Sequence, residues 1–445
     1  MTKNKKAQGP KGKLFTGHTK MFSADPLGFM AGLAESYGPV AKFRFGPFQK
    51  VYLISDPEMI KEVLVTKQKY FVKSQDFESL KPLLGEGLLT SEKEFHMRQR
   101  RLIQPSFKKT EIMQYGQDMI DITKSYASAW KEGEERIINH DMMDITLAIV
   151  SKTMFSKDFQ GGYDHIGNSI ETSMRMAIKS MRGLIKPPLW VPTKNNRNYK
   201  KAIQTLDEVL YSLIGERRQD AGSRNDMLGI LLDARSEDGL GMTDEQVRDE
   251  LMTIFLAGHE TTANALSWTL YLLSRNPEAE AKVHREIDEV IGGRDPRPED
   301  FMKLVYTQNV VWESLRLFPP GFVAGRKVDK DVEINGYTFK KGDMVLASQY
   351  VMHRKSEYFP EPETFRPERF DNNYLRTIPA FAYFPFGGGP RVCIGNHFAL
   401  MEAVLVLASI LQHFKVILPE GQIVKPFPSI TLRPKGGLKM RIERR

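Results

Sequence analysis

The sequence predicts a mainly α-helical protein with a few small β-sheets, an α+β arrangement in a single domain over residues 1–445. Three observations carry this reading. Apolar residues recur at helical spacing through most of residues 57–290. Two shorter regions, 39–56 and 321–352, are rich in β-branched and aromatic residues and punctuated by turn dipeptides. Residues 399–411, ALMEAVLVLASIL, form one strongly apolar helix near the C-terminus. At roughly 150 residues per domain the length alone would suggest a split, but no linker, repeat or low-complexity block divides the chain.

Taken in order, MTKNKKAQGPKGK (1–13) reads as a flexible basic tail. PVAKFRFG and KVYLISD (39–46 and 50–56), separated by Gly-Pro, read as a hairpin. Helical spacing follows in PEMIKEVLVTK, FHMRQRRLIQPSF, QDMIDITKSYASAW and YKKAIQTLDEVLYSLIGERRQ. Residues 243–275 read as one helix, opened by a Thr243–Gln246 capping box and stopped by Asn276-Pro277. At 1.5 Å per residue it runs roughly 50 Å. The helix carrying ESLR (313–316) stops at Pro319-Pro320, and VEINGYTFKKGDMVLAS folds back at Asn335-Gly336. An irregular stretch rich in Pro, Phe and Arg covers 355–392, and the apolar helix begins near Asn396.

Composition excludes several classes. Cys393 is the only cysteine, so intramolecular disulfides and multi-cysteine zinc or iron–sulfur sites are ruled out. With no signal peptide, this fits a reducing cytoplasm. No run approaches the ~20 apolar residues of a membrane span; 399–411 is too short and carries Glu402. The net charge is +9, with much of the excess in the tails. Zinc-finger spacing and RNA-binding aromatic motifs are absent, so nucleic acid is not an expected partner. A monomer is expected.

Four motifs carry chemistry. A single thiolate suffices to ligate a haem iron, whose equatorial ligands come from the porphyrin, and Gly387, Gly388, Gly389 and Gly395 let backbone approach a flat group. A helix starting near Asn396 would lower the Cys393 pKa. On residue chemistry alone, a buried inert cysteine stays open beside this reading. AGHETT (257–262) lies mid-helix, where a glycine costs ~1 kcal/mol. Gly258 would give room above a ring, Thr261 would hold a water and Glu260 would relay protons. His259 reads as a partly exposed histidine with no ligand role. Glu313 and Arg316 share a helical face, as do His96 and Arg100.

The segment FGGGPRVCIG (386–395) resembles the cysteine loop of the cytochrome P450 family, F-x-x-G-x-R-x-C-x-G, matching at Phe386, Gly389, Arg391, Cys393 and Gly395. AGHETT resembles the same family's acid–alcohol pair, ESLR its E-x-x-R, FRPERF (365–370) the segment supplying a third partner, Arg369, and HMRQRR its H-x-x-x-R. The resemblance runs from about residue 20 to 440, with motifs in the family's order. It implies the P450 fold, with a long central helix over the haem and the cysteine loop beneath it. It also implies haem b (iron protoporphyrin IX) with Cys393 as iron ligand, Phe386 packed beside the sulfur, and His96, Arg100, Arg326 and Arg391 on the propionates. Gly258 and Gly395 adjoin the ring, Glu260 and Thr261 are catalytic, and Glu313, Arg316 and Arg369 form a structural network.

The activity implied is a monooxygenase that inserts one atom of O2 into an apolar molecule such as a fatty acid, terpene or steroid. Its electrons come ultimately from NAD(P)H through a separate ferredoxin or flavodoxin and its reductase, because no reductase-like segment is fused. Lys93, Arg98, Arg101 and Arg391 are candidates for meeting an acidic electron donor. By the family's pocket segments, Phe77, Leu80, Leu84, Met252, Phe255, Leu256, Phe322, Val323 and Ile430 line the substrate site. Basic residues within 182–201 would suit a substrate carboxylate. Two rival readings are an H2O2-driven peroxygenase, disfavoured by retention of Glu260-Thr261, and a non-catalytic haem-binding sensor or carrier.

Overall fold

A computed structural model describes residues 5–157, 166–182, 188–220, 226–235, 239 and 241–445. Part of the basic stretch at 182–201, residues 183–187, lies outside the described residues. The chain forms two compact units, each built from discontinuous segments. The first takes residues 1–76, 312–393 and 426–433; the second takes 77–311, 394–425 and 434–445.

The first unit is organised by a five-stranded sheet, in the order Val40–Phe45, Gln49–Ile54, Met344–Ala347, Ala324–Val328, Phe71–Lys73. The first two strands form the expected hairpin, antiparallel from Val40 opposite Ile54 to Phe45 opposite Gln49. Side chains alternate between two apolar layers, as a period of two requires. Ala41, Phe43, Val51, Leu53, Met344 and Leu346 face the helix Pro26–Tyr37 through its Leu27, Met30 and Leu33. Val40, Tyr52, Ile54, Val345 and Ala347 face the other way, onto Met59, Ile60 and Phe384. The Asn-Gly turn is also as predicted: Asn335 (φ 48°) and Gly336 (φ 80°) join Val332–Ile334 to Tyr337–Phe339, the two positive angles that a tight hairpin favours.

The expectation of a flexible tail is corrected for residues 5–13. The Lys5 N–H donates to the Gly336 carbonyl (2.8 Å), and the Lys42 N–H to that of Gln8 (2.7 Å). The segment is tied to strand edges whose backbone groups would otherwise go unpaired.

The first unit also holds a buried ionic cluster. Arg316 and Glu313 are both 0% exposed in their side chains. Arg316 Nε and Nη2 donate to Glu313 Oε2 and Oε1 at 2.7 and 2.8 Å. Its remaining hydrogens reach the carbonyls of His353 (2.9 Å), Pro362 (2.6 Å) and Thr364 (3.2 Å), so all five guanidinium donors are met. Glu313 Oε1 also accepts from the Arg366 N–H (2.9 Å) and Arg369 Nε (3.2 Å). The network expected from the sequence is thus closed by carbonyls that no pairwise motif names.

The second unit is built around the helix Asp244–Arg275, called the long helix below. Its start is capped reciprocally: Thr243 Oγ1 accepts from the Gln246 N–H (3.2 Å) and Gln246 Oε1 from the Thr243 N–H (3.0 Å). It packs on helices Ile138–Phe155, Lys194–Gln219 and Asn396–Leu411. The contact with Ile138–Phe155 is close. A Cβ on Gly258 would lie 2.8 Å from Val150 Cγ2, and Thr146 Oγ1 donates to the His259 carbonyl (3.0 Å). The cost of a helical glycine is therefore met by packing within the unit. His259, read from sequence as partly exposed, is 3% exposed, with Nδ1 3.2 Å from the Phe255 carbonyl. Strands Glu135–Ile137, Lys439–Arg444 and Phe414–Ile417 make this unit's small sheet. Among the described residues no helix is long and apolar enough to cross a membrane.

Two predictions follow from these cores. Glu313→Ala leaves Arg316 and Arg369 buried without their carboxylate and should cost about 3–5 kcal/mol in denaturant unfolding. Burial pushes the His259 imidazole down to about 4 from an ordinary 6.5. The unfolded chain therefore binds a proton at pH 5 that the folded chain refuses. His259 should reduce stability progressively as pH falls from 6.5 toward 4 and leave it unaffected above 6.5. His259→Gln should flatten this part of the profile of melting temperature against pH.

Candidate active site

In the first unit, the segment after Phe384 turns tightly to present Cys393. The Gly387 N–H donates to the Phe384 carbonyl (2.9 Å), Val392 to Gly389 (3.0 Å), and Cys393 to Phe386 (2.9 Å). Gly389 has φ +68°, and a Cβ there would sit 2.0 Å from the Leu64 carbonyl oxygen. Only glycine satisfies both conditions. Phe386 meets Trp312 edge-on at 5.9 Å. Tyr383 Oη donates to the Trp312 carbonyl (2.7 Å), and His353 Nε2 accepts the Phe384 N–H (2.9 Å). His353, whose carbonyl takes an Arg316 hydrogen, thus links the ionic cluster to the start of the loop. Cys393 is exposed, the reverse of an inert core cysteine. Arg391 lies two residues away, and Arg326 stands on strand Ala324–Val328 between Lys73 and Val345.

In the second unit, the long helix is buried almost throughout. Among its described residues from Val247 to Leu270, only Ala257, Gly258 and Thr261 are not buried. They fall on one face, at i, i+1 and i+4. Thr261 Oγ1 donates to the Ala257 carbonyl (2.6 Å) and Thr262 Oγ1 to the Gly258 carbonyl (3.2 Å). Glu260 is 7% exposed. On the helix Lys93–Ile103, His96 is buried and Arg100 half-buried on one side, while Lys93 and Arg101 are exposed. Gly395 caps the helix Asn396–Leu411, and a Cβ on it would meet Phe107 at 3.5 Å, an ordinary contact. The chain's own packing does not demand glycine there.

The donor set fits a haem. The first unit offers one accessible thiol on a glycine-shaped loop with Arg391 two residues away, and Arg326 on the strand Ala324–Val328. The second offers an imidazole and a guanidinium on one helical face, plus an uncovered stripe of small residues and one hydroxyl. Each unit by itself offers donors of a kind that a haem uses, a soft thiolate for the iron and cations for its carboxylates.

The expected substrate-lining residues divide. Leu80 and Leu84 are buried, Phe77 is half-buried, and the short helix Lys81–Leu84 rests on the long helix. Met252 and Phe255 belong elsewhere. They line a small apolar cavity with Leu206, Leu210 and Leu213 of the helix Lys194–Gln219, and Phe255 meets Phe155 at 6.0 Å. Helical geometry puts them, with Leu256, on the face opposite Ala257 and Thr261. Phe322 is core beside Leu346 and Val351, with Val323 packed against it. Ile430 is half-buried.

Sequence reasoning did not single out the buried acids. Glu402 is fully buried, and burial pushes its carboxyl well above the ordinary range, opposed by the Thr262 hydroxyl. Asp249 and Glu250 are buried in the long helix, and burial pushes the Glu250 carboxyl up to about 8. The signal was present as charged residues inside otherwise apolar helical runs.

Residues 7–440 match the family model described as Cytochrome P450. Among curated proteins, the chain is 36% identical to cyclooctatin synthase of Streptomyces melanosporofaciens, over 97% of this chain and 94% of that one. It is 35% identical to cyclooctat-9-en-7-ol 5-monooxygenase of the same organism, over 94% and 89%, and 30% identical to pentalenene oxygenase of Streptomyces avermitilis, over 96% and 95%. A family match along nearly the whole chain, and relatives at least 30% identical along most of their own length, make the chain a member of the cytochrome P450 family.

Proposed function

We propose that this P450 monooxygenase hydroxylates an apolar substrate of terpene type. The observation that carries the reading is the stripe of Ala257, Gly258 and Thr261 on an otherwise buried helix. It gives a reacting molecule small residues to lie against and one hydroxyl to meet. Three similar proteins support the substrate class. Two are named for cyclooctatin synthesis and for 5-monooxygenation of cyclooctat-9-en-7-ol, one for oxygenation of pentalenene.

The residues divide the work. Cys393 would supply a thiolate ligand to the haem iron, and Phe386 and the Gly389 turn would hold its sulfur in place. His96, Arg100, Arg326 and Arg391 would neutralise two propionates, and Gly395 would keep a ring's approach clear of a Cβ atom, while Gly258 serves the packing against Val150. Bound haem supplies the activation of O2, the chemistry no side chain here can perform. Thr261 holds a water by its hydroxyl, and Glu260 passes protons toward it from within the helix. Electrons enter from NAD(P)H through a reductase and a separate acidic ferredoxin or flavodoxin, attracted by Lys93, Arg98, Arg101 and Arg391.

Two measurements test these roles. The dithionite-reduced holoprotein under carbon monoxide should show the red-shifted Soret band of thiolate ligation. Cys393→Ser should move that band to shorter wavelength, and a wild-type protein without the red-shifted band would overturn the assignment. Thr261→Ala should leave the band in place while product formed per NADPH consumed falls about tenfold or more. Unchanged coupling would favour a haem protein that needs no proton relay.

A further inference from the structure

Glu250 sits one residue from an acid whose needs are met. Asp249 Oδ2 accepts the Glu86 N–H (2.8 Å) and its Oδ1 accepts from Arg248 Nη1 (2.9 Å). Glu250 is 0% exposed, and its Oε2 accepts the Leu88 N–H (2.9 Å). Its Oε1 has no hydrogen-bond partner among the described residues, and neither has Oγ1 of Thr253, which is 4% exposed. The two residues are three apart on one helix, so their polar atoms share a side. Gly87 lies against them: a Cβ there would fall 2.2 Å from Thr253 Oγ1 and 2.5 Å from the Asp249 carbonyl. Leaving two buried polar atoms unmet costs about 1–3 kcal/mol each, and a fold that keeps both together is set to receive a partner from outside the chain.

The position says what kind of partner. Glu250, Ala257 and Thr261 are spaced by seven and four residues, two turns and one, and so fall on a single stripe. Ile254 lies between the acid and Ala257 on that stripe. A molecule seated on the Ala257–Thr261 face and reaching toward the acid would pass Ile254, 6% exposed, before its polar end met the two unpartnered atoms of Glu250 and Thr253. At 1.5 Å per residue Glu250 and Ala257 are about 10 Å apart. Burial holds the Glu250 carboxyl protonated at neutral pH. With Oε2 accepting from Leu88, Oε1 carries the hydrogen and donates it. Thr253 Oγ1 can accept a hydrogen in return. A hydroxyl group satisfies both.

We propose that Glu250 and Thr253 form a hydrogen-bonding subsite for an oxygen already present on the substrate, so that the enzyme acts on an apolar alcohol whose hydroxyl is held about two helical turns from Ala257. This rests on the apolar-substrate reading above and adds what that reading lacks, a point of registration.

Calorimetric titration of the holoenzyme with matched pairs tests it: menthane with menthol, cedrane with cedrol, androstane with androstanol. The wild type should bind the alcohol of at least one pair roughly tenfold more tightly than its hydrocarbon. Glu250→Leu should bring that ratio near one, and Thr253→Val should cut it about threefold. Thermal unfolding and the carbon monoxide spectrum show whether each variant is folded. Should Glu250→Leu not fold, the near-isosteric Thr253→Val carries the test. Hydrocarbons bound as tightly as alcohols by the wild type, or a ratio unmoved by the folded variants, would overturn the subsite alone. Failure of all six compounds to bind would instead count against the apolar-substrate reading, and the subsite would fall with it.

Discussion

A guanidinium buried without partners is among the costliest groups a fold can contain, and Arg316 sets the path of the chain by the way it avoids that cost. Its five donors take two carboxylate oxygens from Glu313 and carbonyls from His353, Pro362 and Thr364. The last three belong to a stretch with little regular structure. Helices and sheets satisfy their own carbonyls; this stretch has them satisfied by a side chain. From His353 the order passes to Phe384 through the imidazole, and from Phe384 to the turn that ends at Cys393. The sulfur is placed at the end of a chain of hydrogen bonds whose origin is an ion pair on a neighbouring helix.

The second unit solves a different problem. A helix buried on nearly every side has to be apolar almost everywhere, yet the long helix carries Arg248, Asp249, Glu250, His259 and Glu260 inside its buried stretch. Each needs a specific environment. Asp249 and Glu250 draw backbone N–H groups from residues 86 and 88 onto the helix. His259 stays neutral in the core. These groups position neighbouring segments while the face around Ala257 and Thr261 remains uncovered.

Most elements were legible because their signals are local. The Asn-Gly turn, the Gly-Pro hairpin, the Thr243–Gln246 cap and the proline stops depend on a few adjacent residues. The glycine turn before Cys393 and the Glu313–Arg316–Arg369 network were legible through spacing within short motifs. What depends on distant packing was not. The helical period that places Phe255 near the site in sequence cannot say which face turns toward Leu206. An exposed-looking His-Glu pair is buried because the helix Ile138–Phe155 covers it. The basic residues near the N-terminus suggest a loose tail until strand edges at Ala41 and Gly336 claim their backbone. Glu250 escaped notice because one carboxylate in an amphipathic run looks like a solvated surface residue.

The interleaving of the two units has a consequence for synthesis on the ribosome. The first unit requires residues 426–433 and the second requires 434–445, so neither is complete until residues beyond 425 have been made. At 5–20 residues per second, the early strands and the long helix wait tens of seconds for their last partners, with apolar faces open. Vectorial folding, domain after domain, is closed to this topology. The nascent protein depends on whatever shields those faces until residues 426–445 emerge, and removing that stretch should deprive both units at once.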